Sequence, residues 1–102
     1  MPENTFEFNG ATVTVRRETV RDRLAIDVLL HDLDEALGKT QALEEYHQRR
    51  QFAHFVKLSD VQGDIGFDLR GPVAETFDGW LNADAELYEA WVEAAVGSKK
   101  TK

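Results

Sequence analysis

Apolar positions recur at intervals of three and four over residues 19–38, TVRDRLAIDVLLHDLDEALG, and this stretch organises the rest of the chain. Ile26, Leu29, Leu30, Leu33 and Leu37 fall on one face of a helix. Thr19 supplies an N-cap, Asp22 stands where a capping-box acid would, and Gly38 can take the left-handed conformation that closes a helix. Val20, Leu24 and Val28 form a second, narrower stripe among Arg21, Asp27, His31 and Glu35. A helix with two apolar stripes either lies between two packing partners in its own domain or lends the second stripe to another chain.

Ahead of this helix, residues 5–17 (TFEFNGATVTVRR) alternate apolar and polar side chains about Asn9-Gly10. That dipeptide is the preferred two-residue turn of a type I′ hairpin, because both positions need positive φ. Folding there sets Phe8 opposite Ala11, Phe6 opposite Val13 and Asn4 opposite Val15. Phe6, Phe8, Ala11, Val13 and Val15 then share one face. An isolated hairpin is marginal in water, so this face must lie on something. The nearest apolar surface in sequence predicts that Ile26, Leu30 and Leu33 cover Phe6, Phe8 and Val13.

A second helix is predicted over residues 39–59, with Thr40 as its cap and Leu43, Tyr46, Phe52, Ala53 and Val56 facing the core, while Phe55 and Leu58 point elsewhere. The short connection about Gly38 predicts an antiparallel helix pair. Residues 60–71 (DVQGDIGFDLRG) break the helix with three glycines. Ile65, Phe67 and Leu69 alternate with polar residues, so residues 65–69 form either a third strand or a loop that tucks Ile65 and Phe67 under the helices. Pro72 suits the start of a third helix carrying Val73, Phe77, Trp80 and Leu81, in which Gly79 weakens the last turn. Asn82 or Asp84 restarts a fourth, with a stripe of Leu87, Tyr88, Trp91, Val92 and Ala95 that Gly97 stops. The expected fold is α+β: an N-terminal β-hairpin packed on a mainly α-helical domain of about four helices. Residues 1–97 form this single domain, followed by a disordered basic tail at 98–102.

At 102 residues the chain is of single-domain size. It has no cysteine, which removes disulfides, thiolate metal sites and cysteine nucleophiles together. No apolar run is long enough to span a membrane, and the opening MPENTFEF has no basic region followed by an apolar run, so neither a membrane partner nor a secretory signal is expected. A net charge of −7 argues against nucleic acid as a partner, since like charges repel before contact. The acids are unevenly placed: Glu75, Asp78, Asp84, Glu86, Glu89 and Glu93 occur without one base between Gly71 and Gly97. Such a block either forms a solvated face or steers a basic partner.

The common catalytic and ligand-binding constellations are missing. There is no phosphate-binding glycine loop, and neither Ser59 nor Ser98 sits in a nucleophile elbow. Residues 60–68 fail the EF-hand pattern, because Ile65 stands where the turn glycine belongs. His47 and His54 share a helical face with Gln51 between them, a poor zinc set. His31, between Asp27 and Glu35, reads as a surface ion-pairing group. No enzyme activity, catalytic residue, metal or cofactor is expected. Trp80 and Trp91 sit at ordinary core spacings, and if exposed they would be the first places to look for a partner.

The order of these pieces resembles the small tail assembly chaperones of long-tailed (siphovirus-type) bacteriophages. The resemblance rests on the hairpin running straight into a helix (TFEFNGATVTVRRETVRDRL), the central FAHFV, the glycine-containing GDIGFD and the closing ELYEAWVEAAV. It implies a non-enzymatic protein that binds and solubilises the tape measure protein, helps recruit tail tube subunits, acts in the cytoplasm of the bacterial host and is lost from the mature virion. Self-association is also expected. Leu24, Val28, Phe55 and Leu58, with Trp80 and Trp91, are the candidate partner-binding residues. The competing reading is a small acidic inhibitor whose carboxylates imitate DNA phosphates on a host nucleic-acid-binding protein; a third is a structural head or tail component.

Overall fold

The computed structural model describes the backbone of residues 4–100 and the side chains up to Val96. In it β1 (Thr5–Phe8) pairs antiparallel with β2 (Ala11–Val15), Phe6 opposite Val13 and Phe8 opposite Ala11. The turn residues Asn9 and Gly10 have φ of 50° and 84°, the sign that matches the right-handed twist of the flanking strands. Asn4 continues the pairing: its carbonyl accepts from the Val15 N–H at 2.8 Å, and its side-chain amide donates to the Val15 carbonyl at 3.1 Å. Ala11, Val13 and Val15 are buried on the predicted face, with Phe6 and Phe8 partly buried against the same core.

Helix α1 (Val20–Leu37) begins with a complete capping box. The Asp22 N–H donates to the Thr19 hydroxyl at 3.2 Å, and the Thr19 N–H donates to the Asp22 carboxylate at 2.9 Å. The Thr19 N–H, aided by its hydroxyl and by Arg16, holds the Asp22 carboxyl below the usual aspartate range. A carboxyl lowered in this way stabilises the fold above the ordinary range and loses that contribution as pH falls through its own lower value. Helix α2 (Leu43–Leu58) starts later than predicted, and Thr40 lies ahead of it, its hydroxyl accepting from the Ala42 N–H at 3.1 Å. It runs antiparallel to α1: Arg49 reaches Asp34 near the end of α1, while His54 lies 3.8 Å from Glu18 just before its start.

The third strand is β3 (Ser59–Gln62), which follows α2 without a linker and pairs with β2, Val13 opposite Val61, giving the sheet order β1-β2-β3. Residues 65–69, where alternation allowed a strand, are the loop of the other reading. Asp64 and Asp68 each accept from a backbone N–H two residues on, at 2.7 and 2.8 Å, turns that compete with sheet pairing. Ile65 is buried and Phe67 half-buried there. Helix α3 (Val73–Leu81) begins after Pro72. Helix α4 (Ala85–Lys100) starts behind Asp84, whose carboxylate accepts from the Glu86 N–H at 3.0 Å. It continues through Gly97, since one helical glycine costs only about 1 kcal/mol against alanine. The tail expected at 98–102 therefore overlaps α4, and 101–102 lie outside the described residues.

The tertiary arrangement corrects one expectation. The helix over the hairpin is α4, which packs on β1 and β2; α1 packs on α2 and α3. Ile26, Leu30 and Leu33 thus do not form the cover predicted for Phe6, Phe8 and Val13. The cause is β3: its pairing with β2 fixes α2 at that edge of the sheet, and α1 goes with α2. The hairpin face is left to Leu87, Trp91 and Ala94 of α4, all buried in the same core.

Gly79 has a packing reason for its place inside α3. A Cβ there would come within 2.6 Å of the Phe67 Cβ, and a Cβ atom cannot swing away as a side-chain tip can. Gly79→Ala should therefore lower stability by about 1–2 kcal/mol, overpacking outweighing the gain in helix propensity. Urea unfolding followed by tryptophan fluorescence measures it, and a stabilised variant would contradict this close approach.

Candidate partner-binding surfaces

The two stripes of α1 meet different fates. Ile26 and Leu33 are buried, whereas Val20, Leu24 and Val28 are 77%, 64% and 61% exposed. Four-residue spacing places these three one turn apart on the outer side of the helix, a row about 12 Å long at 1.5 Å per residue. Arg21, Asp27 and the exposed His31–Glu35 pair, 3.5 Å apart, border it.

The other four candidates lie inside. Phe55, Leu58, Trp80 and Trp91 are all buried, so the six do not form one surface. Phe55 sits with its ring centroid 4.8 Å from Trp80 and 6.3 Å from Trp91. The Trp91 indole N–H donates to the Ser59 hydroxyl at 2.8 Å. Helix α2 touches α1 and α3 as well as β3, which is why Phe55 and Leu58 become internal along with Phe52 and Ala53. Helix α1 has neighbours on one side only, which leaves its second stripe outside.

Sequence reasoning missed several positions. Leu37, Leu43, Tyr46 and Val92, all assigned to core faces, are exposed; the first three lie beside the α1–α2 connection, where the helices end or begin. Arg49 is buried, and its guanidinium bonds to Asp34 at 2.9 Å and to the Gly38 carbonyl at 2.8 Å. The only trace of this in the sequence is Glu45 one turn earlier, 3.4 Å away.

The acids of the C-terminal third, Glu75, Asp78, Asp84, Glu86, Glu89 and Glu93, are all exposed. Glu86, Glu89 and Glu93 fall on one face of α4 by their spacing. Among the described residues no group of three or more His, Asp or Glu side chains could hold a metal ion, and no helix is long and apolar enough to cross a membrane.

Comparison with known proteins adds no relative: no family model, no curated protein and no solved structure matches the chain.

Proposed function

We propose that this chain is a non-enzymatic binding protein that offers the outer stripe of α1 to an apolar helix of another protein. The observation that carries it is the exposure of Val20, Leu24 and Val28 on a helix otherwise capped and packed. Burying a Val or Leu side chain is worth about 1.5–3 kcal/mol, so a partner helix laid along the row has a sizeable apolar term available at small cost in reorganisation. Following the resemblance to tail assembly chaperones, the partner is the tape measure protein, with recruitment of tail tube protein as the next step. The work is done in the host cytoplasm, and the chaperone leaves before the virion is complete. The same stripe serves self-association when the client is absent. Phe55, Leu58, Trp80 and Trp91 act as the scaffold that holds α1, and the net charge of −7 keeps an apolar client in solution.

The test is the double change Leu24→Asp and Val28→Asp, made in the chain co-expressed with the cognate tape measure protein. Surface substitutions away from packed features cost roughly 0.5 kcal/mol or less each, so the circular dichroism spectrum should be unchanged and the melting temperature should move by only a few degrees. Co-purification of the tape measure protein should be lost. A variant that still brings the client down in full places the binding face elsewhere.

The exposed row Glu86, Glu89 and Glu93 on α4 favours a second reading, the DNA-mimicking inhibitor. The two separate by salt: an acidic face loses its partner steeply as salt rises, while an apolar stripe does not.

A further inference from the structure

A cleft of about 380 Å³ opens between the link from β2 to α1, helix α2 and helix α4. Its floor is apolar, made by the buried Val15, Leu58 and Trp91. The Trp91 N–H is already bound to Ser59, so the indole has no free donor to offer a ligand. One wall is Val92 and Val96 of α4, 37% and 47% exposed. The opposite wall is His47, Arg50 and His54 of α2, spaced three and four residues apart on one helical face.

Charge at this cleft runs against that of the whole chain. In a protein of net charge −7, Arg16, Arg17 and Arg50 gather around it with a single acid, Glu18. Arg16 is committed to Asp22 at 3.3 Å and to the Lys57 carbonyl. Glu18 is committed to Arg23 at 3.4 Å and lies 3.8 Å from His54. Among the described residues Arg17 and Arg50 have no ion-pair partner. An apolar floor in a cleft lined by two arginines without an ion-pair partner is complementary to a molecule with an apolar body and one anionic end. The volume is at the low end of small-ligand pockets and too small for a helix, which is about 10–12 Å across.

We propose that this cleft binds a small amphipathic carboxylate, its apolar body between α2 and α4 on Val15, Leu58 and Trp91, and its carboxylate held by Arg17 and Arg50. The site is independent of the α1 stripe.

Decanoate below its micelle concentration is the probe, titrated by calorimetry against the full chain, with decanol as the neutral isostere. Decanoate should bind at one equivalent, about tenfold or more tighter than decanol, the ratio expected of a charge-assisted hydrogen bond. Arg17→Gln with Arg50→Gln should abolish that preference and leave decanol binding unchanged. Val92→Asp, at an exposed position of the α4 wall, should remove decanoate binding while the circular dichroism spectrum stays the same. Leu24→Asp with Val28→Asp should leave decanoate binding as it was, which separates this site from the one on α1. Equal affinity for decanoate and decanol, several weak equivalents, or an undiminished preference in the double glutamine variant would each overturn the proposal. So would tighter binding of a blocked acidic pentapeptide with one central leucine, which would make the cleft a peptide site instead.

Discussion

Phe55→Ala should lower the stability of this domain by about 3–5 kcal/mol, the usual loss for a large aromatic removed from a packed core. Phe55 is fully buried, with ring centroids 4.8 Å from Trp80, 6.4 Å from Phe67 and 6.3 Å from Trp91. Those rings come from α3, from the loop before it and from α4, so the cavity would open where three separate segments meet. None can refill it without moving the others. A domain of this size has roughly 5–15 kcal/mol in total, and the melting temperature should fall by on the order of 15 °C or more. Leu24→Ala is the control. Its side chain is already in water, so its cost should stay near or below about 0.5 kcal/mol. Urea unfolding of both proteins measures the difference. If the two cost the same, Phe55 is not a core residue, and its place among surface candidates would be restored.

Arg49→Ala should cost about 3 kcal/mol, close to what is lost when a buried charge pair is broken by removing one member. The guanidinium ties three parts of the α1–α2 corner together: Asp34 at 2.9 Å, the Gly38 carbonyl at 2.8 Å and Glu45 at 3.4 Å. Arg49 is 3% exposed, so salt should screen these contacts little. Asp34 and Glu45 are partly exposed and can rehydrate when it is gone, which keeps the loss at the lower end for such pairs. Arg49→Met keeps most of the apolar stem and should cost about half as much. A double-mutant cycle with Asp34→Asn should show a coupling of about 1 kcal/mol or more. If Ala and Met at this position are equally destabilising and the cycle shows no coupling, the corner is held by packing alone.

Both predictions concern residues whose role the linear pattern does not show, and for one reason. A hydrophobic period tells which side chains share a face of their own element, not which neighbour that face will meet. The spacing along α2 sets Phe55 off its core face, but in the fold that helix touches α1, α3 and β3. Nothing in the four-residue spacing of Glu45 and Arg49 shows that Arg49 is buried. Its burial depends on the Gly38 carbonyl and Asp34, brought there by the antiparallel turn. The cleft between α2 and α4 was illegible for the same reason, since its walls lie some forty residues apart in sequence.

What the sequence by itself determined is the local structure whose signals are self-contained. The Asn9-Gly10 turn and the alternation around it specify the hairpin and its register, because turn geometry and side-chain parity must agree. Thr19, Asp22 and Gly38 delimit α1, because caps satisfy backbone groups within a few residues of themselves. What only the tertiary structure decided is which surfaces meet: that β3 takes the free edge of β2, that α4 rather than α1 lies on the hairpin, and that of the chain's surplus apolar stripes the one on α1 stays outside. Those choices are made by burial summed over elements distant along the chain, a quantity that no local window contains.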